Sequence, residues 1–179
     1  MNPYDSLTEL ELSPLPPQVE TLCEELNAPA RLIAHLILVH DVAIKLVKEF
    51  NKSWPNLTFD KEEVLFGAAT HDIGKAVYKE ELTGPGHRHE SEGWKILKQH
   101  SFSSRQARFT QTHAKWQHDQ SITIEDLIVA LADNCWKGKR NEELELLITK
   151  IISKATNQPD WETFIGLDDI LQLIFFRKF

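Results

Sequence analysis

Apolar positions recur at steps of three and four residues through most of the chain from about Val19 onward. The longest run lies within residues 30–50, where one stripe contains Leu32, Leu36, Val39, Val42, Ala43, Leu46 and Phe50. This spacing indicates an amphipathic helix with one buried face. No run of convincing length alternates between apolar and polar residues as a strand does. The pattern therefore predicts an all-α fold.

Capping residues and glycines predict where the helices begin and end. Asp60, with Glu63 three residues later, matches a capping-box variant that opens a helix, and Gly74 is its expected end. Thr123 or a neighbour is expected to start another helix. Further helices are expected at about 89–100, 103–115 and 142–155, with a short one at the C-terminus. The glycines and proline of "KEELTGPGHRH", residues 79–89, predict a loop.

The chain of 179 residues is long enough to bury a substantial core without disulfides. Residues 1–17 mix acidic residues, prolines and serines, and we expect them to form an extended N-terminal arm. Residues 18–179 are expected to form one helical domain. The two cysteines, Cys23 and Cys135, lie far apart and are interpreted as reduced thiols.

The composition excludes some classes of function. The formal net charge is −7, from 20 basic and 27 acidic residues, which argues against a nucleic-acid polymer as partner. A small phosphorylated substrate remains possible, because it needs only a local positive site. The chain start lacks the basic and apolar regions of a signal peptide, and no apolar run is long enough to cross a membrane. We therefore expect a cytoplasmic protein.

One histidine lies on the buried stripe of the first long helix. His35 sits among Leu32, Leu36 and Val39, where histidine is uncommon. Taken alone, such a residue is more often a hydrogen-bonded core histidine than a metal ligand. Its neighbour His40 falls off the stripe and is expected at the surface.

The stretch "FGAATHDIGK", residues 66–75, ends an apolar helix with two strong metal-ligand side chains, His71 and Asp72. A buried carboxylate needs an opposite charge or several hydrogen bonds, and a metal ion would compensate it strongly. The alternative is a histidine favoured by the helix dipole, with Asp72 as a cap or ion-pair partner. Lys75 follows closely and is either a phosphate-binding cation or a solvated lysine at a helix end.

A second carboxylate, Asp133, also lies in an apolar helical segment. It is either a metal ligand opposite His35 or a buried aspartate bonded to Lys137 or to the backbone. His89 and His113 lie where helices are expected to begin or end, whereas the remaining histidines, His87, His100 and His118, are expected to be exposed. Three or four of the histidines together with the two aspartates could hold two metal ions.

In this order along the chain, these residues resemble the HD-domain superfamily of metal-dependent phosphohydrolases. The resemblance covers about residues 30–145 and is carried by "HLILVHDVA" from residue 35, "HDIGK" from 71, "HESEGWKIL" from 89 and "LADNCWKGKR" from 131. It implies a single all-α helical bundle around a metal site. No GYP tripeptide follows the signature, so the cyclic-di-nucleotide phosphodiesterase branch is not supported.

The resemblance also implies a set of site residues. The ligands of a first metal would be His35, His71, Asp72 and Asp133. His89 and His113 match the additional histidines of members with two metals, in which Asp72 would bridge. Asp72 and Lys75 would be the catalytic residues, with Lys75 contacting the substrate phosphate. His87 is a weaker candidate for substrate binding and for protonating the leaving group.

The function that follows is hydrolysis of a phosphate ester or anhydride, of a nucleotide or a related small metabolite, by metal-activated hydroxide. One or two divalent ions are expected, and the ligand types do not choose among Fe, Mn, Co, Ni, Zn and Mg. Two alternatives stay open: a mixed-valent di-iron oxygenase of the same fold, and a non-catalytic metal-stabilised sensor or binding module. The apolar segment "ILQLIFFRKF", from residue 170, could also support a homodimer.

Overall fold

The computed structural model describes residues 12–117 and 121–176. All regular secondary structure within these residues is helical, which confirms the predicted all-α class. The α-helices are α1 Pro17–Glu25, α2 Ala30–Ser53, α3 Lys61–Thr70, α4 Arg88–Gln99, α5 Ser104–Ala107, α6 Phe109–Thr112, α7 Ile124–Trp136, α8 Glu142–Thr156 and α9 Asp160–Phe176. Two 3-10 segments, Ile73–Ala76 and Lys79–Leu82, connect α3 to α4.

Local side-chain chemistry sets several helix ends as predicted. The Asp60 side chain accepts a hydrogen bond from the backbone N–H of Glu63 at 3.1 Å, which caps α3. Thr123 and Asp126 form a capping box at the start of α7. Helix α2 ends next to Trp54, because Pro55 disfavours a helical conformation for the residue before it.

Helix α2 is the central element, and α3, α7 and α9 pack against it. The buried apolar residues form two clusters. The larger cluster joins most of α2 to α3, α7, α8 and α9, and the smaller one joins the start of α2 to α1, α4 and α5. Leu36 belongs to the smaller cluster and Val39 to the larger one, so His35 lies beside the junction of the two.

Three boundaries differ from the sequence-based expectation. Helix α3 ends at Thr70, so His71 and Asp72 lie in a turn after the helix and Gly74 lies within a 3-10 segment. The helix expected at 103–115 is divided into α5 and α6 at Arg108. The C-terminal helix α9 is not short, since it has 17 residues.

Two glycines bring the turn after α3 into backbone contact with α4. A Cβ atom at Gly74 would overlap the backbone oxygen of His89. A Cβ at Gly93 would lie 2.9 Å from Cγ2 of Thr110 and 3.3 Å from the backbone nitrogen of Gly74. This close approach fixes α4, and therefore His89, next to the turn that carries Asp72.

The predicted N-terminal arm is only partly described, because residues 1–11 lie outside the described residues. Residues 12–16 have no regular secondary structure, yet Leu15 is buried, and the Ser13 backbone N–H donates to Asp41 Oδ1 at 3.3 Å. This segment lies against α2, where the exposed fraction of His40, the neighbour of Asp41, is 5%. The expectation that His40 is a surface residue was therefore wrong.

At the other end of the chain, the apolar residues of α9 are divided between the protein's own core and its surface, where Trp161, Phe164 and Ile165 are exposed. Leu167, Leu171 and Ile174 are buried, whereas Leu173 is 45% exposed. The homodimer and the single-domain boundary at residue 18 stay predictions. Among the residues that the structure describes, no helix is both long and apolar enough to cross a membrane.

Candidate metal centre

The six side chains predicted as metal ligands converge on one place in the fold. They come from α2, the turn after α3, α4, the end of α6 and α7. They form two groups, within each of which the potential ligand atoms lie within 4.8 Å of one another: His35, His71 and Asp133 in the first group, and Asp72, His89 and His113 in the second.

The end of α3 explains how two adjacent residues can serve one centre. His71 caps the helix, and its backbone N–H still bonds to Gly67 O. Asp72 then leaves the helical conformation, with φ −107° and ψ 10°. Successive side chains on a regular helix point about 100° apart. Because the chain turns here, both side chains face the same interior space.

In the first group, the imidazole nitrogens meet one carboxylate oxygen. His35 Nε2 and His71 Nε2 each lie 3.6 Å from Asp133 Oδ1. The two nitrogens lie 3.2 Å from each other. Two unprotonated nitrogens facing each other at this distance repel through their lone pairs, unless a proton or a cation lies between them.

Asp72 is a member of the second group, and its carboxylate also approaches the first group. Its Oδ1 lies 3.2 Å from His89 Nε2 and 3.6 Å from His113 Nε2. Its Oδ2 lies 3.1 Å from His35 Nε2 and 3.6 Å from His71 Nε2. One oxygen therefore faces each group, which is the arrangement of a carboxylate that bridges two ions.

Three of the histidines are oriented by acceptors behind them. Nδ1 of His71 faces Ala68 O at 2.9 Å, and Nδ1 of His113 faces Phe109 O at 3.0 Å. Nδ1 of His89 faces Glu81 Oε2 at 2.6 Å. Since each Nδ1 faces an oxygen, it carries the proton and leaves the Nε2 lone pair directed at the centre, as metal-binding histidines require.

The polar atoms at the centre fit a metal. Asp72 Oδ1, Asp133 Oδ1 and His89 Nε2 are buried, and within the described part of the chain none of them has a hydrogen-bond partner. Unsatisfied buried polar atoms are costly. Ligand atoms about 2.1 Å from a common ion lie roughly 2.9–3.4 Å apart, close to the distances found here. Nitrogen and carboxylate oxygen together suit Zn, Mn or Fe.

The electrostatics favour ionised carboxylates at the centre. Burial raises the pKa of Asp72, but the imidazoles of His71, His35 and His89 outweigh it and hold this pKa well below its usual value. The pKa of Asp133 is also lowered, because His71 and Lys137 outweigh the effect of burial. Both carboxylates are therefore charged and available to a cation.

The histidines respond in two ways. Burial lowers the pKa of His35, and burial together with the nearby His71 lowers the pKa of His113 to about 4. Burial also acts to lower the pKa of His71 and of His89, but the adjacent carboxylates outweigh it and raise both pKa values. The buried carboxylates around the centre therefore favour a positive charge next to them strongly enough to outweigh the effect of burial on His71 and His89.

Two lysines pair with the carboxylates from outside. Lys75 Nζ lies 2.6 Å from Asp72 Oδ2, and Lys137 Nζ forms an ion pair with Asp133 Oδ2. Both lysines line a cavity of about 450 Å³ that opens beside His35 and Asp72. Asp133 therefore has both sets of neighbours that the sequence suggested. One of its oxygens pairs with Lys137, and the other lies near His35 and His71.

One predicted site residue lies apart. His87 is the N-cap of α4, its side chain is 85% exposed, and its Nδ1 lies 3.3 Å from Glu90 Oε1. It is not among the residues that line the cavity in the described part of the chain. The turn before α4 directs this side chain to solvent, so the geometry gives no support to its predicted role at the substrate.

Sequence reasoning also missed residues around the centre. Arg31 and Trp136 line the cavity, and Glu81 holds His89. Arg31 lies four residues before His35 and Trp136 three after Asp133, so helical spacing could have found both. Glu81 lies in a short 3-10 segment, where no periodic pattern indicates its contacts.

An all-helical fold with two ligand groups that share Asp72 defines a protein with a candidate binuclear metal centre. A family model described as HD domain matches residues 32–136, which is more than half of the chain. The chain belongs to the HD-domain superfamily, whose members bind divalent metals. Comparisons with curated proteins and with solved structures gave no match.

Proposed function

We propose that the protein is a metal-dependent phosphohydrolase that cleaves a phosphate ester or anhydride of a nucleotide or a related small phosphorylated metabolite. The observation that carries the proposal is the position of Asp72, which has one oxygen facing each ligand group and Lys75 beside it. Membership of the HD-domain superfamily supports it, because its members are generally metal-dependent phosphohydrolases.

Six residues would hold the metals in this proposal. His35, His71 and Asp133 would bind one ion, His89 and His113 the other, and Asp72 both. A bound divalent metal lowers the pKa of a coordinated water to about 7 and so supplies a nucleophile near neutral pH. The acceptors behind His71, His89 and His113 keep their Nε2 lone pairs directed at the ions.

Lys75 would bind the phosphate that reacts. Its ammonium group lies beside Asp72, and the Lys75 side chain is 19% exposed and lines the cavity. A lysine is a compact charge that suits phosphate oxygens. With a metal sharing the charge of Asp72, the Lys75 ammonium would be available to a substrate oxygen. A charge-assisted contact of this kind is worth about 1.5–3 kcal/mol, and it stabilises negative charge that develops during transfer.

The test is turnover by the full chain purified without chelator and supplied with Mn, Fe, Co or Ni. We expect release of phosphate or alcohol from at least one member of a nucleotide panel or from an aryl phosphate. Asp72→Ala and His71→Ala should abolish turnover. His100→Ala is the matched control and should retain it, because His100 lies outside both ligand groups and pairs with Glu25.

Circular dichroism should show that all three variants remain helical. Absence of turnover across the panel with every metal would contradict the proposal. The same assay under strict anaerobiosis separates it from oxygenase chemistry: hydrolysis continues without oxygen, whereas oxidation of a substrate stops.

A further inference from the structure

The cavity beside the metal centre has the size of a small-molecule site. Its volume of about 450 Å³ falls within the range of roughly 300–1,000 Å³ that is usual for such sites. Its lining combines cations with apolar side chains: Arg31, Ala34, His35, Leu38, Asp72, Lys75, Leu82, Trp136 and Lys137.

The charge of this lining opposes that of the whole chain. Arg31, Lys75 and Lys137 contribute three cations, whereas Asp72 is the one acidic residue among the lining residues that the structure describes. The chain as a whole carries a formal net charge of −7. Positive charge concentrated at one cavity of an acidic protein focuses its field on an anionic ligand.

Arg31 differs from the two lysines in its partners. Lys75 and Lys137 pair with Asp72 and Asp133, but Arg31 has no ion pair with any residue in the described part of the chain. It lies exposed in the first turn of α2, four residues before His35, which corresponds to about 6 Å along the helix. Its planar guanidinium can bind a phosphate through two parallel hydrogen bonds.

The rest of the wall is apolar. Leu38 comes from α2, Leu82 from the second 3-10 segment and Trp136 from the end of α7. The Trp136 ring packs edge-to-face on His35, with 6.0 Å between ring centroids, which holds it at the edge of the centre. An aromatic side chain beside a cationic rim suits a ligand that has an aromatic part and an anionic part.

We infer that the cavity takes an aromatic organic diphosphate, of the class of nucleoside diphosphates, and that Arg31 binds the phosphate that Lys75 does not. The inference rests on the proposed function, because it places one phosphate at Lys75 beside the metal ligands. It adds a second anion site one helical turn from His35 and an apolar wall for the base.

The test is a calorimetric titration of the metal-loaded full chain with each of two probes that resist hydrolysis, which measures the Kd of each probe. One is the 5′-phosphonate analogue of AMP, and the other is ADP with a methylene group between its phosphorus atoms. The native chain should bind the second probe about tenfold more tightly, as one charge-assisted contact predicts. Arg31→Gln should remove most of this preference, and Arg31→Lys should restore part of it.

Lys48→Gln is the matched control. Lys48 is exposed on the same helix, and its substitution makes the same change in charge, but it does not line the cavity. This variant should keep the full preference for the diphosphate probe. Equal binding of both probes by the native chain, no binding of either, or an unchanged preference in Arg31→Gln would overturn the inference.

The outcome is separable from that of the proposed function. If the native chain prefers the diphosphate probe through Arg31 but turns over no phosphate compound with any metal, the binding inference stands and the hydrolase proposal fails. If it hydrolyses phosphate esters without this preference, the hydrolase proposal stands and Arg31 has no role in recognition.

Discussion

The carboxylate of Glu81, in the second 3-10 segment, holds one of the candidate metal ligands, His89. Oε2 accepts hydrogen bonds from the backbone N–H of His89 at 3.1 Å and from its Nδ1 at 2.6 Å. Oε1 accepts from the backbone N–H of Arg88 at 3.2 Å, and a Cβ at Gly86 would overlap the side chain. Burial acts to raise the pKa of Glu81, but the contacts from His89 outweigh it and lower the pKa to about 2. Glu81 is therefore ionised and fixes the His89 ring.

Glu81→Gln should weaken metal binding at the group that contains His89. An uncharged amide orients His89 less firmly and makes its ring less basic, and changes of this kind cost about 10–100-fold in metal affinity. Calorimetric titration of metal into metal-free protein measures this, and the first group should keep its affinity. Glu80→Gln is the control, because Glu80 is 59% exposed and contacts Arg88 rather than His89. Equal affinity of both sites in Glu81→Gln would refute this role.

At this scale the sequence predicted the ligands better than the residues that support them. His35 and Asp133 stand out because polar side chains interrupt apolar helical faces, and that is a local property. Glu81 does not stand out, because its contacts with His89 depend on how the chain folds back after the 3-10 segment. The spacing of Arg31 from His35 could have indicated that it lies near the centre, whereas the cavity that it lines appears only in the folded structure.

At the scale of elements, Gly74 joins the turn after α3 to helix α4. The absence of a side chain lets the two backbones touch, and this contact places His89 Nε2 3.2 Å from Asp72 Oδ1. The sequence predicted Gly74 as a helix end, which is its commonest local role. Helix α3 in fact ends at Thr70, and Gly74 instead packs against the backbone of α4, a long-range contact that local sequence does not show. The caps at Asp60 and Thr123 involve residues three positions away and were predicted.

Gly74→Ala should lower the free energy of unfolding by roughly 1–3 kcal/mol, as overpacking in a rigid interior does. The new methyl group meets backbone atoms of α4, which cannot rotate away as a side chain can. Urea unfolding measures the change. Gly84→Ala should cost less, because its nearest atom is Glu80 O at 3.3 Å in an exposed turn. A Gly74→Ala protein as stable as the native chain would show that α4 can move without cost.

At the scale of the whole molecule, the ligands of the candidate centre come from helices that belong to two different apolar clusters. A metal that binds the folded chain but not the unfolded one stabilises the fold by mass action, by about 2.7 kcal/mol at a free concentration 100 times its Kd. For a chain of this size that corresponds to roughly 5–10 °C in Tm.

Removing the metal with a chelator should therefore lower Tm by about this amount, and adding the metal back should restore it. Scanning calorimetry at fixed protein concentration makes the measurement. Asp72→Ala is the control: it removes the residue that both groups share, so its Tm should hardly respond to chelator. A native chain whose Tm ignores both chelator and added metal would show that the fold does not depend on the centre.

The order of the ligands along the chain has a consequence for biosynthesis. Asp72, His89 and His113 leave the ribosome before Asp133, so the second group is complete while the first still lacks a ligand. At about 5–20 residues per second, Asp133 is made roughly 5–20 s after His35. During that interval the nascent chain presents histidines without the carboxylate that completes their set. The first group can therefore be completed only after the second, once Asp133 has left the ribosome.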